Sequence, residues 1–505
     1  MPNKYSMPSN TSTDILILSS PLTQTQQPMN AGAVLKSVAN KAGYSCATVD
    51  LNKIIVNWIN SDTTLLLMKK YFNNGFTEGV QQRYIDQFVS IVLEIVIRHQ
   101  PKIIGISVFT DSSRVATKIM AQAIRQHFPK IKIIIGGAGI VNTDAEDSSN
   151  HPVSLPGQVS FAEKLLQNNL IDYYIQGDAE HAFYEFLKNN YDFAGINQSA
   201  WHQLTNDQLL ELEYPDYSDY DWSLYEKRVI GITGSRGCVR QCRFCDYIVA
   251  WKNYTWRTAD HIFEEMLYQK NLYNIMSFHF SDSLINGNMA EYKKLVTLLA
   301  EYNSNNPDTP FRWGSFLIIK SPAQFDDELW RLTAASGCEL LMIGLETFVE
   351  QIRFDMNKKF TNQDVEFCIE KIAKYNIPVM FLVFIGYPTE TQQHVEQSIK
   401  WLEDHKHLRQ HFELFFNETM FLLPGSWVEQ NKHVYQIKLV DSTNALHWVS
   451  PNSTLEIRQQ RSALIRNTAK SLGYIVASQD EDQDPHRQIE QGLGKFLQIS
   501  KLSHL

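Results

Sequence analysis

Continuous apolar runs of strand length alternate with amphipathic helical stretches along most of the chain. Up to residue 189 the runs are "DILILSS" (14–20), "SCATVDLN" (45–52), "PKIIGISVFT" (101–110), "KIKIIIGGAG" (130–139) and the start of "IDYYIQGDAEHAFYEFLKN" (171–189). A strand that is apolar on both faces must be covered on both faces, which is the condition of a parallel sheet between helical layers. The alternation therefore predicts an α/β fold that begins with a doubly wound, Rossmann-like domain over 14–194.

A second alternating series follows an aromatic and acidic segment, 195–228, which we interpret as a linker. The strand candidates of this series are 229–235, 277–283, 311–318, 340–347, 379–388 and 411–421. Strand–helix units in this number predict a partial (β/α)6 barrel of TIM type over 229–425, with its site at the carboxyl ends of the strands. We expect a small mixed C-terminal region over 426–505 and a disordered leader over 1–13.

Composition excludes several classes of protein. The formal net charge of −9 argues against general nucleic-acid binding, and no apolar run reaches membrane-spanning length. Six cysteines in 505 residues, without a secretion signal, indicate a reducing compartment rather than a disulfide framework. We therefore expect a cytoplasmic protein that binds neither membrane nor nucleic acid.

Half of the cysteines lie within the short stretch "GSRGCVRQCRFCDY" (234–247). Cys238, Cys242 and Cys245 have the spacing C-x3-C-x2-C directly after a predicted strand. Three thiolates on one loop can hold three irons of a cubane cluster and leave the fourth iron open for a small molecule. A structural zinc site would need a fourth Cys or His nearby, and the nearest, His261, lies sixteen residues further on. An iron–sulfur cluster is favoured over zinc and over a chance grouping of thiols.

The stretch "SRGCVRQCRFC" (235–245) resembles the cluster loop of radical S-adenosylmethionine (SAM) enzymes. "FHFSDSLIN" (278–286), "SGCELLMIGLET" (336–347) and "IPVMFLVFIGYPTET" (377–391) resemble later barrel strands of that family, in the family's order. The resemblance implies a 4Fe-4S cluster on the three cysteines, with SAM bound at the open iron. It also implies reductive cleavage of SAM to a 5′-deoxyadenosyl radical that abstracts hydrogen from a substrate.

The same resemblance assigns further site residues. Glu346, in the element Gly344-x-Glu346, and Asp282, at the end of the second barrel strand, are implied as catalytic residues that face cofactor or substrate, with Glu346 also binding SAM. Phe244 and Tyr247 are implied to pack against the cluster and the adenine. The alternative for Glu346 is a strand-end acid paired with a lysine, and for Asp282 a structural acid.

The N-terminal half resembles the cobalamin-binding domain that precedes the barrel in one large radical SAM subfamily. "SVF" (107–109) is followed by 26 residues and then by Gly136–Gly137, and "QGDAE" (176–180) resembles a further turn of that domain. The resemblance implies a cobalamin site formed by Ser107, Thr110, Gly136, Gly137, Gly177 and Glu180. The alternative is a Rossmann-like domain that binds no cofactor.

One departure from the pattern concerns the cobalt. The stretch "DLNKII" (50–55) has Asn52 where related mutases carry the histidine that ligates cobalt from below. We therefore expect cobalamin without a histidine lower ligand.

The resemblance favours a cobalamin-dependent methyltransferase acting on an unactivated carbon. The alternatives are radical rearrangement, cyclisation or oxidation, with or without cobalamin. A tRNA methylthiotransferase is disfavoured because the N-terminal half lacks three further cysteines. A vestigial ligand-sensing or scaffold protein is disfavoured by the intact cysteines and by Gly344-x-Glu346.

Seven basic residues between 227 and 257 predict a positive face near the cluster. Such a face suits an acidic electron donor, such as a flavodoxin or ferredoxin, or an anionic substrate. The substrate itself, a small molecule or a peptide, is not identified by any motif.

Overall fold

A computed structural model describes residues 12–23, 25–75, 77–141, 159–198, 201–417, 419–441 and 445–478. The chain forms two compact units, 1–230 and 231–505, and the division falls within the strand Val229–Ile232. The predicted leader, 1–13, lies outside the described residues except for its last two, as do residues 479–505 of the predicted C-terminal region.

The first unit is built on a five-stranded parallel sheet in the order β2-β1-β3-β4-β5. Its strands are β1 (Ile15–Ser19), β2 (Cys46–Val49), β3 (Ile103–Ser107), β4 (Lys132–Gly136) and β5 (Tyr173–Ile175). The strand order reverses between β1 and β3, and sheets of this kind bind ligands beyond the carboxyl ends of the strands at such a point. The predicted doubly wound domain is confirmed.

Helices cover both faces of this sheet, because alternate side chains of each strand point to opposite layers. Leu16 and Ile104 belong to one buried apolar cluster, whereas their neighbours Ile15 and Ile103 belong to another. The described helices are α1 (Asn30–Lys41), α2 (Leu51–Asn60), α3 (Leu67–Asn74), α4 (Gln82–His99), α5 (Arg114–His127), α6 (Phe161–Gln167), α7 (Ala179–Lys188) and α8 (Asn206–Leu210).

The segment predicted as a linker, 195–228, is part of the first unit. The Tyr217 hydroxyl donates to Asn30 Oδ1 at 2.6 Å, and the Tyr220 hydroxyl donates to the Met29 carbonyl at 3.0 Å. The Lys36 ammonium pairs with Asp219 at 2.7 Å. Both tyrosine side chains are buried, so the segment packs on its own domain.

The second unit contains a seven-stranded sheet in the order β16-β13-β12-β11-β10-β9-β6, and every strand pair from β9 to β16 is parallel. The sheet strands are β6 (Val229–Ile232), β9 (Ser277–Phe280), β10 (Arg312–Leu317), β11 (Cys338–Glu346), β12 (Val379–Val383), β13 (Glu413–Phe416) and β16 (Ile475–Ser478). Two short antiparallel pairs accompany it: β7 (Ser235–Arg236) with β8 (Thr255–Trp256), and β14 (Lys438–Leu439) with β15 (Trp448–Val449).

The described helices of this unit connect and cover these strands. They are α9 (Tyr247–Ala250), α10 (Ala259–Tyr273), α11 (Met289–Asn305), α12 (Asp327–Ala335), α13 (Glu350–Asp355), α14 (Asn362–Tyr375), α15 (Gln392–Asp404), α16 (Trp427–Gln430) and α17 (Leu455–Ser471). All six predicted strands are present. The region predicted as a separate C-terminal part supplies a seventh strand, because α17 leads into β16 beside β13. No helix of the described part of the chain is long and apolar enough to cross a membrane.

Candidate functional site

The three clustered cysteines lie on the loop between β7 and α9, and distant segments hold this loop in place. The Arg243 N–H donates to the Met356 carbonyl at 3.0 Å, and the Asn357 side-chain amide donates to the Gln241 carbonyl at 2.7 Å. The Val428 N–H donates to the Arg243 carbonyl at 3.0 Å. We call residues 238–245 the cluster loop. Its shape is fixed by hydrogen bonds to residues far away in the sequence.

The thiols of the cluster loop are shielded from water but lie beside cations. Burial raises the pKa of all three cysteines above the ordinary value, and that of Cys245 to about 12. At Cys238 the Arg240 N–H, which donates to the sulfur at 3.4 Å, and the charges of Lys358 and Lys320 oppose this rise. Bare thiols here keep their protons at neutral pH, so binding a metal has to release them.

This donor set fits an iron–sulfur cluster. Three thiols on one loop, one of them buried and two half-buried, match its ligand chemistry, and the neighbouring cations offset the negative charge of the thiolates. Each cysteine would bind a different iron, so the sulfurs need not converge on one point. In the described part of the chain, no three His, Cys, Asp or Glu side chains converge closely enough to hold one metal ion. Cys238, Cys242 and Cys245 would hold the cluster.

Glu346 ends β11 and forms a shielded ion pair with Lys358. The Lys358 ammonium lies 2.6 Å from Glu346 Oε1 and donates to the Gly344 carbonyl at 2.9 Å, and both charged side chains are 12% exposed. A Cβ atom on Gly344 would lie 2.3 Å from Glu346 Oε1, so a larger residue there would displace the Glu346 carboxylate from its present position. Burial would lower the pKa of Lys358, but Glu346 and Cys242 outweigh it and raise the pKa above its ordinary value.

The backbone at Glu346 is held in an uncommon conformation. Its φ of 63° lies in the left-handed region, which L-residues seldom adopt. The Phe384 N–H donates to the Glu346 carbonyl at 3.0 Å, and the buried Arg353 guanidinium donates to the Thr347 carbonyl at 2.9 Å. The surrounding fold thus fixes the direction of the Glu346 side chain.

Asp282 lies just beyond β9 and is 2% exposed. Its Oδ1 accepts from the Gly234 N–H at 2.7 Å, and its Oδ2 accepts from the Ser235 hydroxyl at 2.6 Å. Burial raises its pKa to about 6. Both carboxylate oxygens therefore bind the backbone and side chain that lead from β6 into the cluster loop.

The two aromatic residues of the predicted site point to protein neighbours. The Phe244 ring meets Phe384 edge-on, with ring centres 5.0 Å apart. The Tyr247 ring stacks on Trp251, with ring centres 4.4 Å apart. Phe244 thus packs with apolar residues beside the cluster loop. Tyr247 lies just after the C-terminal end of that loop.

The basic residues between 227 and 257 do not form one continuous positive face. Arg257 is buried and pairs with Glu265 at 2.5 Å, and the Arg243 guanidinium lies 4.5 Å from the centre of the Trp427 ring. Arg240 instead lies near Lys320, which the sequence places far away, and both interact with Cys238. The positive charge near Cys238 therefore comes from two residues, Arg240 and Lys320, that lie far apart in the sequence.

In the first unit the predicted cobalamin residues lie at the carboxyl edge of the sheet. Ser107 pairs in register with Gly136 at the ends of β3 and β4, and the Thr110 hydroxyl donates to the Leu22 carbonyl at 3.3 Å. Gly177 follows β5, and Glu180 is buried in the first turn of α7. Gly137 packs tightly: its missing Cβ would lie 2.4 Å from the Val108 carbonyl oxygen.

The loop after β2 uses its polar side chains within the fold. Asn52 is fully buried, and its Oδ1 accepts from the Thr23 N–H at 2.9 Å. Asp50 caps α2 and accepts from the Tyr225 hydroxyl at 2.6 Å, and burial raises its pKa. Asn52 thus fastens the loop after β1.

Two residues of these sites were not found by sequence reasoning. Lys358 stands beside a second lysine in "NKKFT" (357–361), and nothing local distinguishes them. Tyr225 stands in the aromatic segment that carries no periodicity. Both depend on contacts between segments distant in the sequence, so only the fold reveals them.

Comparison with known proteins agrees with this geometry. Residues 232–402 match the profile of the radical SAM superfamily. An uncharacterized methyltransferase of Pyrococcus horikoshii is 20% identical over 333 residues, which cover 63% of this chain and 67% of that protein. The radical SAM methyltransferase TsrM from Kitasatospora setae, solved with cobalamin and a 4Fe-4S cluster bound, gives a TM-score of 0.64 at 15% identity, covering 92% of this chain and 93% of that one.

A further solved structure is similar over almost the same length. The cobalamin-dependent SAM radical enzyme OxsB, with aqua-cobalamin bound, gives a TM-score of 0.63 at 12% identity, covering 92% of this chain and 67% of that one. At these identities the likeness establishes the fold, and both predicted halves of the chain are included in it. Residues 232–402 therefore match the radical SAM superfamily, and the chain as a whole has the fold of these two solved structures.

Proposed function

We propose that the protein is a cobalamin-dependent radical SAM methyltransferase that acts on an unactivated carbon. The observation that carries this proposal is the combination, in one chain, of a three-cysteine cluster loop with a sheet whose carboxyl edge ends in Ser107 and Gly136. The likeness to TsrM spans 92% of the chain and so includes both parts. When bound, the cluster supplies reductive cleavage of SAM, and cobalamin supplies methyl transfer.

In this proposal the residues around the cluster loop bind and orient SAM. Glu346 offers a carboxylate for the SAM amino group, and Lys358 and Lys320 offer cations for the SAM carboxylate. In the absence of SAM, Lys358 and Glu346 neutralise each other's charge through their ion pair. Phe244 and Tyr247 line the loop with aromatic surface. Asp282 acts as a positioning residue, because it fixes Gly234 and Ser235 ahead of the first cysteine.

We further propose that cobalamin binds at the carboxyl edge of the first unit. Ser107, Thr110, Gly136, Gly177 and Glu180 would surround its nucleotide tail. Asn52 is buried and bonded to Thr23, so it does not supply a nitrogen ligand to cobalt. A cobalt bound here would then have no histidine ligand from the loop after β2.

A specific observation favours one alternative. Gly137 is required by the fold itself, because its Cβ position overlaps the Val108 carbonyl. This glycine would be needed even in a domain that binds no cofactor. A radical SAM enzyme without cobalamin is therefore the second candidate.

Radical SAM enzymes need an external source of electrons, and we propose an acidic donor such as a flavodoxin or ferredoxin for this protein. All six cysteines are free thiols, which suits a reducing cytoplasm. We propose a small molecule or a peptide as the substrate.

Anaerobic reconstitution tests the proposal. Wild-type protein should bind about four irons, release 5′-deoxyadenosine from SAM under reduction, and retain cobalamin after desalting. Cys242→Ala should lose the cluster and the deoxyadenosine, whereas the matched control Cys368→Ala, a buried cysteine of α14, should keep both. Formation of S-adenosylhomocysteine alone would exclude radical initiation and favour polar methyl transfer. Failure to retain any corrinoid would favour the cobalamin-free candidate.

A further inference from the structure

The two faces of the seven-stranded sheet in the second unit are buried to different extents. Trp313, Phe381 and Val383, on one face, are at most 1% exposed. Phe316 and Leu382 alternate with them along β10 and β12, point to the other face and are only half-buried. A close-packed core would bury both faces equally, so the described residues leave space beside the second face.

Strand pairing makes this second face apolar from β10 to β16. Met342 pairs with Phe316 on one neighbouring strand and with Met380 on the other. Leu382 pairs with Phe415 on the next strand. The side chains belong to one apolar cluster. We call this surface the inner face; its members are Phe316, Met342, Met380, Leu382, Phe415 and Ala477.

The inner face leads directly to the residues proposed to bind SAM. Gly344 follows Met342 on the same strand and pairs with Leu382, and Glu346 ends that strand. The N–H of Phe384, two residues after Leu382, donates to the Glu346 carbonyl at 3.0 Å. A molecule that rests on Leu382 therefore lies next to Glu346.

Hydrogen-bonding groups border the inner face at β6 and β9. The Thr233 and Ser281 hydroxyl oxygens are 3.0 Å apart, and the Ser281 side chain is exposed. The Ser281 hydroxyl donates to the Ile232 carbonyl at 3.2 Å, so it accepts from Thr233, and the lone pairs of Thr233 face a ligand as acceptors. His279 borders the same edge, because a Cβ atom on Gly314 would lie 3.7 Å from its Nδ1.

The inner face offers no cation to a ligand. Among the described residues of the seven strands, the only lysine or arginine is Arg312, which stands at the amino end of β10 and pairs with Glu339 at 2.9 Å. The one acid that pairs into the inner face is Glu413, beside Met380. A carboxylate or phosphate placed here would lose its hydration without gaining a partner charge.

We propose that the substrate is an apolar molecule without an anionic group that carries a hydroxyl or amine at one edge. This inference rests on the proposed function and names the substrate class of its site. The apolar body rests on Phe316 and Leu382, where burial of apolar surface supplies the affinity. The hydroxyl or amine donates to Thr233. These contacts place a carbon of the apolar body beside Glu346 and the proposed SAM site.

The test measures binding of three aromatic probes to the full-length, reconstituted protein by equilibrium dialysis at neutral pH. The probes are naphthol, its methyl ether, which lacks the O–H donor, and naphthoate, which is an anion. Wild-type protein should bind naphthol about tenfold more tightly than naphthoate. Thr233→Val, which keeps the shape of threonine, should weaken binding of naphthol about fivefold and leave binding of the methyl ether unchanged.

A charge placed on the inner face should invert this preference. Leu382→Lys should bind naphthoate about tenfold more tightly and naphthol about tenfold less tightly than the wild type does. The matched control is Leu272→Lys on α10, where leucine is 55% exposed, and it should bind all three probes as the wild type does. Thr233→Val keeps the test decisive if Leu382→Lys does not fold.

The outcomes separate this inference from the proposed function. Equal or tighter binding of naphthoate by the wild type would overturn the substrate class, as would wild-type affinity for naphthol in Thr233→Val. Either result would leave the proposed function standing if the same preparation releases 5′-deoxyadenosine from SAM with dithionite. A wild-type protein that cleaves no SAM would instead overturn the proposed function, whatever the probes show.

Discussion

Replacing Gly137 and Gly136 one at a time by alanine separates the needs of the fold from those of a cofactor. Gly137 has a φ of 108°, and a Cβ atom there would lie 2.4 Å from the Val108 carbonyl oxygen. Gly136 has no such backbone restriction, and its Cβ would lie 3.3 Å from the Ile175 carbonyl oxygen. The neighbouring glycines are therefore constrained for different reasons.

The expected magnitudes follow from these contacts. At Gly137→Ala the backbone strain costs roughly 1–3 kcal/mol and the overlap with Val108 a further ~1–3 kcal/mol. For a unit of this size each kcal/mol lowers the melting temperature by roughly 2–4 °C, so Gly137→Ala should melt on the order of 10 °C lower. Gly136→Ala requires only a small shift of its neighbour and should cost about 1 kcal/mol or less.

The assay pairs thermal unfolding with cobalamin retention after desalting. Gly136→Ala should melt close to wild type yet lose cobalamin, because in the proposed site the added methyl group would occupy the space that the tail approaches. Gly137→Ala should have a lower melting temperature than the wild type even when no cobalamin is present. An unchanged melting temperature for Gly137→Ala would refute the steric argument. Full cobalamin retention by Gly136→Ala would refute the placement of the tail at this edge.

Three further predictions concern buried polar groups. Burial raises the pKa of Asp282 from 3.8 to about 6, so the folded state binds the proton more tightly; the resulting stability, roughly 3 kcal/mol, is complete below about pH 4 and is lost as the pH rises through about 6. Asp282→Asn should remove this pH dependence, and urea unfolding of both proteins at pH 4 and pH 8 checks it; parallel curves would contradict the assignment. Asn52→Ala should lower the free energy of unfolding by about 1–3 kcal/mol, because the half-buried Thr23 N–H loses its acceptor. The electron paramagnetic resonance spectrum of bound cobalt(II) should stay unchanged in this variant; an altered spectrum would make Asn52 a ligand. Lys358→Met should destabilise the protein by about 3–5 kcal/mol by leaving Glu346 uncompensated, and adding Glu346→Gln should recover part of the loss; additive losses in thermal unfolding would show that the pair is not coupled.

The parts of the fold that could be predicted from the sequence depend on local patterns. A strand such as β3 is a short, continuous apolar run, and its length and the proline and polar residues that bound it identify it as a strand. The cluster loop is equally local, because its spacing lies within eight residues. The two-part fold and the radical SAM match over residues 232–402 confirm these predictions.

The parts that could not be predicted depend on contacts between distant segments. β16 is only four residues long, and pairing with β13 makes it a strand. The segment 195–228 resembles a linker because its aromatic residues follow no period, yet Tyr217 and Tyr220 bond to the start of α1. No local rule indicates such pairings, since the partner groups lie almost two hundred residues away.

The cluster loop has to satisfy opposite requirements within a few residues. For the proposed function its thiols have to be kept from water, while its end has to stay accessible to a source of electrons. The loop satisfies both requirements because backbone hydrogen bonds hold it in place. Arg243 bonds to Met356, in the segment after α13, and to Val428, in α16. These anchors hold Cys242 inward while Val239 stays exposed. Residues near 427 therefore influence the cluster loop through Arg243, so the C-terminal region takes part in shaping the site as well as in extending the sheet.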